Sequence, residues 1–349
     1  GPALMDPAPE TIPVREAHRF DEAALARYLG ERSADFKGPL TVRQFQGGQS
    51  NPTFHLATPG REYVLRKKPP GKLLPSAHAV DREYRAIAAL APKGVPVAKP
   101  FLLCEDAGVI GTAFYVMDYV RGRVFRDVLL PDLAAGERRA IYDAMNAAMA
   151  QLHQVDWQAA GLASFGKPGN YYARQIARWT QQYEAAKTEQ IDAMDALARW
   201  LPANIPADDA TTVVHGDFRL ENMIFHAAEP KVLAIIDWEL STLGHPLADL
   251  AYNCMPYLAT APGRGPLQDI DPALGIPSQA DYVAAYCNRT NRPGISDWNF
   301  YVAFSLFRSA GIVQGVYKRG LDGNASNATA TQFCDVARQQ SEYAWRLVQ

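Results

Sequence analysis

Three short apolar runs, Thr212-Val213-Val214, Met223-Ile224-Phe225 and Val232-Leu233-Ala234-Ile235-Ile236, bracket a polar stretch that reads His215-Gly216-Asp217-Phe218-Arg219-Leu220-Glu221-Asn222. Runs this short, bounded by turn residues, read as buried strands. Pro230, in the segment between the last two, prevents either from continuing through it. An antiparallel hairpin centred near Glu229-Pro230 sets Asn222 and Asp237 about equally far from the turn, beside each other at its mouth. A carboxamide oxygen and a carboxylate so placed suit a hard cation such as Mg²⁺. Asp217, in the loop before the hairpin, is free to face a substrate hydroxyl. A surface hairpin with polar ends explains any one of these residues, but it does not explain their joint spacing.

The run from His215 to Asn222 matches the protein-kinase catalytic loop H-R-D-x-x-x-x-N at His, Asp and Asn, with Gly216 in place of Arg. Together with Ile236-Asp237-Trp238-Glu239 it resembles the aminoglycoside phosphotransferase and choline kinase-like family. The longer string from Ile236 to Ala251 resembles the branch related to the kinase-like domain fused to acyl-CoA dehydrogenases in some proteins. The resemblance implies an α+β, two-lobed protein-kinase-like fold, with a small β-rich N-lobe and a larger, mainly helical C-lobe. It implies ATP and Mg²⁺ as cofactors and a small-molecule hydroxylated substrate, a hydroxylated acid or acyl thioester, as phosphate acceptor. Asp217 would take the hydroxyl proton, Asn222 and Asp237 would hold the metal, and Asp249 would anchor the loop backbone. Arg219 would either neutralise the transferring phosphoryl group or form a structural ion pair, and His215 would order the loop. His245 stands where this branch is expected to carry Asp, and the sequence assigns it no role.

Upstream, Gln46-Gly47-Gly48-Gln49-Ser50-Asn51 lies between two strand-like runs. Glycines in a strand–turn–strand let backbone amides approach phosphate, and they serve an ordinary hairpin equally well. Gly47, Gly48, Gln49 and Ser50 are the candidate phosphate loop. It is neither a Walker A loop nor a dinucleotide fingerprint, since both of those lead into a helix. Tyr63-Val64-Leu65-Arg66-Lys67-Lys68 reads as a strand ending in cations. Neighbouring side chains on a strand face opposite ways, so only one of Arg66 and Lys67 enters the site. Alignment with the kinase V-A-I-K pattern favours Arg66, although the sequence does not settle which of the two contacts phosphate. Glu83 shares a helical face with Ile87 and Leu90, and a carboxylate on a buried stripe needs a cation, for which Arg66 is the candidate. Phe114 to Val120 reads as a strand leading into the lobe connection. By resemblance, the backbone of Asp118 and Val120 would meet the adenine edge, with Met117 behind the ring.

The 349 residues and net charge of −2 provide no basic stripe for nucleic acid and no cationic helix for a membrane. No apolar run reaches about 18 residues and no signal-peptide pattern opens the chain, so a cytoplasmic protein is expected. Cys104 and Cys254 sit in apolar contexts and read as buried thiols. Strand-like runs come first and long helical patterns follow. The division expected is 1–36 as an N-terminal extension and helix, 37–117 as the nucleotide-binding lobe and 118–349 as the catalytic and substrate lobe. His153 ends an apolar helix, where a cation suits the helix dipole. Between 250 and 349 there are seven Asp and Glu against eight Lys and Arg, which argues against a polycationic aminoglycoside acceptor. The competing classes are an aminoglycoside kinase, a nucleotide-binding regulatory module without turnover and a protein kinase. Intact Asp217, Asn222 and Asp237 speak against the module, and the lack of D-F-G and A-P-E segments speaks against the protein kinase.

Overall fold

The computed structural model describes residues 10–46, 51–69, 79–324 and 327–349, so the Gly47–Ser50 turn lies outside the described residues. Strands β1 (Thr11–Ile12), β2 (Thr41–Phe45), β3 (Thr53–Thr58), β4 (Arg61–Lys67), β5 (Pro100–Cys104) and β6 (Phe114–Asp118) form one sheet in the order β1-β2-β3-β4-β6-β5. Every neighbouring pair is antiparallel. Helix α1 (Glu22–Arg32) begins where the Asp21 carboxylate accepts the Ala24 N–H at 3.0 Å, an N-cap worth about 1 kcal/mol. Its Leu25 and Leu29 are fully buried against Phe54, Tyr63, Leu65 and Phe114 of the sheet, so the helix read as part of an extension belongs to the sheet's core. Each of those leucines contributes about 1.5–3 kcal/mol by leaving water.

The alternation of β4 is decisive for the site. Tyr63 and Leu65 join the core under α1, and Lys67 follows them, its Nζ lying 5.3 Å from the Phe20 ring centre and 5.6 Å from that of Phe54. Arg66 goes to the other face, where helix α2 (Val80–Leu90) presents Glu83 from a buried stripe that includes Ala86, Ile87 and Leu90.

The helical part contains α3 (Ala135–His153), α4 (Tyr171–Ala186), α5 (Asp192–Ala203), α6 (Pro246–Asn253), α7 (Gln279–Arg289), α8 (Trp298–Arg319) and α9 (Asn327–Val348). Every residue of α8 from Phe300 to Phe307 is buried, as befits a helix that is apolar all round. Strand β7 (Thr212–Val214) pairs antiparallel with β10 (Thr242–Gly244), and β8 (Met223–Phe225) pairs with β9 (Val232–Ile235).

The chain divides into two compact units. Residues up to Arg123, with Ile224–Ala227 and Leu233–Glu239, make the first; Val124–Met223, Ala228–Val232 and Leu240–Gln349 make the second. Most of the β8–β9 hairpin thus packs with the first unit, although it follows the His215 loop in sequence. Its backbone explains why: Arg123 and Phe225 exchange N–H···O bonds of 2.7 and 2.8 Å, and the Ile235 N–H donates to the Pro96 carbonyl at 2.8 Å. Cys104, Cys254 and Cys287 are buried free thiols. No helix among the described residues is long and apolar enough to cross a membrane.

Candidate active site

In the first unit the site is built around a buried guanidinium. Arg66, 3% exposed, donates from Nη1 to Glu83 Oε1 at 2.5 Å and lies 3.7 Å from Asp237 Oδ1. Glu83 is fixed from two further sides, by Asn51 Nδ2 at 2.8 Å and by the Tyr115 hydroxyl at 2.9 Å. Tyr115 stands directly across from Arg66 in the β4–β6 register, so one ladder position brings both partners to the carboxylate. Burial works against the Arg66 charge, but Tyr115, Glu83 and Asp237 outweigh it and hold the guanidinium above the ordinary arginine value. Arg66 Nε and Nη2 have no hydrogen-bond partner among the described residues. A buried cation with two unspent donors is a place for a planar or tetrahedral oxyanion. Lys67 is on the opposite face, and burial lowers its pKa.

Asp237 follows β9 with a φ of 62°, in the left-handed region that Asp enters more readily than most residues. Its side chain is 23% exposed. Met117 closes the half-buried end of β6 with Asp118, and Val120 follows, also half-buried. The Asp118 carboxylate pairs with Arg61 at 3.0 Å and its N–H donates to the Lys99 carbonyl at 2.8 Å. Any contact of the Asp118 backbone with a base edge therefore falls to its carbonyl.

In the second unit the backbone from His215 to Phe218 is held group by group. Asp249 accepts the His215 N–H at 2.8 Å and the Gly216 N–H at 3.0 Å. The His215 ring, wholly buried, accepts the Asp217 N–H at 3.1 Å, while Asn222 Nδ2 donates to the Asp217 carbonyl at 2.9 Å. Asn253 Nδ2 donates to the Phe218 carbonyl at 3.2 Å. Gly216 has a φ of +92°, and a Cβ there would stand 2.7 Å from the Leu240 carbonyl oxygen. This conformation and this neighbour admit glycine at the position where protein kinases carry arginine.

His153 does more than suit a helix dipole. Its Nε2–H donates to Asp249 at 2.8 Å, and its Nδ1 accepts the Tyr286 hydroxyl at 2.7 Å. Burial alone would raise the Asp249 carboxyl, but the His153 ring and the loop N–H groups hold it below the usual carboxylate range. His245 also acquires a role, as the N-cap of α6. Its Nδ1 accepts the Leu247 N–H at 3.1 Å and its Nε2–H donates to the Asp208 carbonyl at 3.1 Å. Burial among Tyr172 and Tyr301 lowers its pKa to about 4.

The Asp217 carboxylate has three partners, two hydrogen-bond donors and one ion pair. Asn222 Nδ2 reaches Oδ2 at 3.0 Å, Arg219 Nε lies 3.3 Å from Oδ1, and the Tyr252 hydroxyl donates to Oδ1. Arg219, half-exposed, also pairs with Glu221. Asn222 spends its Nδ2 on Asp217, which leaves its Oδ1 for a hard cation. A carboxamide oxygen is of the kind Mg²⁺ takes, and so, in the first unit, is the Asp237 carboxylate. Among the described residues no group of three or more His, Cys, Asp or Glu side chains converges as a metal cage. Nothing in the sequence ties Tyr252, Tyr115 or Asn51 to a carboxylate, and they reach theirs only through the tertiary fold.

A family profile described as "Phosphotransferase enzyme family" matches residues 41–294. The mouse protein named acyl-CoA dehydrogenase family member 10 is 49% identical over 344 residues, covering 97% of this chain and 32% of that protein. This chain therefore spans about a third of that relative. A crystal structure from Ralstonia eutropha JMP134, named provisionally as an aminoglycoside phosphotransferase, is 52% identical. Its TM-score is 0.87, over 94% of this chain and 98% of that one. Spectinomycin phosphotransferase, solved with ADP and spectinomycin, shares only the fold, at 12% identity and a TM-score of 0.61 over 93% of this chain and 98% of its own. The fold is kinase-like, with a β-rich N-terminal unit and a larger, mainly helical unit.

Proposed function

Because the chain belongs to the phosphotransferase enzyme family, we propose that it moves the γ-phosphate of Mg²⁺-bound ATP to a hydroxyl of a small molecule. The observation that carries this reading is Arg66, a buried guanidinium with Nε and Nη2 unspent among the described residues. Those donors suit the α- and β-phosphate oxygens, and Glu83 and Asp237 keep the charge in place. The backbones of Asp118 and Val120, with Met117, receive the adenine. Mg²⁺, when bound, supplies positive charge that offsets the phosphates; Asn222 Oδ1 and Asp237 are the protein oxygens that would hold it. Asp217 accepts the acceptor's hydroxyl proton, a role worth about 10²–10⁴-fold in rate. Arg219, beside Asp217, steadies charge on the transferring group. The acceptor is a hydroxylated acid or acyl thioester, a reading supported by the acyl-CoA dehydrogenase name of a relative that this chain matches over about a third of its length.

A screen of hydroxylated metabolites for ADP release, run on the wild-type chain and Asp217→Ala, tests the reaction. Turnover on at least one acceptor should vanish in the variant while ATP binding persists. Binding without turnover on any acceptor would sink the transferase in favour of a regulatory nucleotide-binding module. Asp237→Ala should lose Mg²⁺-dependent ATP binding by calorimetry, and undiminished binding would remove Asp237 from the metal.

A further inference from the structure

The three partners of the Asp217 carboxylate are unequal. Asn222 is tied in twice, to the carbonyl and to Oδ2 of the same residue. Arg219 carries a full charge and divides it between Asp217 and Glu221. Tyr252, half-buried on α6, offers a neutral O–H to Oδ1. An alcohol acceptor must present this same group to the base. We propose that the Tyr252 hydroxyl occupies the acceptor's seat on Asp217 and caps the base until an acceptor hydroxyl displaces it. The proposal rests on the reading of Asp217 as the proton-accepting residue.

The exchange is like for like. One O–H···O⁻ bond is given up and another is made, so an acceptor opens the seat at little cost. A water molecule makes the same bond without the contacts that the rest of an acceptor provides, and it competes poorly with a tethered phenol. The cap therefore withholds the base from water while no acceptor is bound. In the step it controls, the oxygen of the incoming alcohol or water bonds to the γ-phosphorus and its proton passes to Asp217 Oδ1. The bond from the γ-phosphorus to the bridging oxygen breaks, and ADP leaves with that electron pair. Burial, with Asp217 beside it, pushes the Tyr252 hydroxyl up, so the cap keeps its proton throughout the neutral range.

The test measures ADP release from Mg²⁺·ATP by the full chain, in water alone and with glycerol as the probe alcohol. Tyr252→Phe should release ADP about tenfold faster in both, the factor a hydrogen bond to a charged group is worth. Equal or slower release at an unchanged melting temperature would make Tyr252 a positioning residue and overturn the cap. If that variant does not fold, replacement of Tyr252 by 3-fluorotyrosine, a stronger donor that keeps ring and hydroxyl, must lower both rates; unchanged or raised rates overturn the cap. Asp217→Ala separates the two ideas. Wild-type ADP release in that variant overturns the base reading and the cap with it. Loss in Asp217→Ala without gain in Tyr252→Phe overturns the cap alone.

Discussion

Arg66 in the first unit and Asp217 in the second are both charged groups fixed by their neighbours, and they are fixed in opposite styles. Arg66 is 3% exposed and holds two of its donors in reserve, while the Asp217 side chain is 24% exposed and already has three partners. A group that must hold a polyanion gains from unspent donors, because an arriving anion then finds hydrogen bonds that Glu83 and Asp237 have not taken. A group that must take a proton gains from partners that fix its orientation before substrate enters, as Asn222 and Arg219 do, with Tyr252 on the oxygen that an acceptor needs. The contrast teaches that preorganisation can leave a valence empty in one place and fill it in another.

The strongest way to break this contrast is Glu83→Ala. It leaves Arg66 in the interior without its closest carboxylate, and a pair broken in this way costs about 3–5 kcal/mol. Urea unfolding should report that loss, and a change below about 1 kcal/mol would show that Asp237 alone suffices for Arg66. Next in size is His153→Ala, which takes one donor from Asp249 while sparing the two backbone N–H groups. A cost of about 1–3 kcal/mol is expected, with hydrogen exchange accelerated at the His215 and Gly216 amides. Unaltered exchange there would show that the loop does not depend on the His153–Asp249 contact.

The third effect is spread over the acid side of the stability curve. The folded chain keeps His245 neutral down to about 4, while the unfolded chain protonates it near 6.5. Between those values the unfolded state binds more protons, so stability falls as pH falls, by about 1.4 kcal/mol per unit from this residue. His245→Asn retains a cap acceptor for α6 and should have the shallower slope over that window. Equal slopes in thermal melts would place the titration elsewhere.

The sequence revealed those parts of the fold whose signals are local. Asp21 marks the start of α1, the spacing of Glu83, Ile87 and Leu90 marks one face of α2, and Thr212–Val214 is a strand as its composition suggests. Strand β10 was not legible, because Leu243 is its only strongly apolar residue and pairing with β7 defines it. The Arg66–Glu83 pair followed from alternation on a strand and periodicity on a helix. The Tyr252–Asp217 contact had no such trace, since nothing in a separation of 35 positions specifies that a phenol returns to the loop. His245 was silent for the same reason: capping is a property of backbone geometry, and histidine is an uncommon choice for it.

The adjacent cations of β4 have a consequence for how the strand finds its place. Slipped by one residue, the strand would drive the Arg66 guanidinium in among Phe20 and Phe54 and leave the Lys67 ammonium to face Glu83. The ammonium lacks the flat, forked donor array that the carboxylate meets now, and the larger cation would enter the hydrocarbon. Correct and incorrect alignments of the sheet thus differ at two charges simultaneously, on opposite faces. The strand carries a check on its own assembly, and the residue that would hold the phosphate also enforces the alignment.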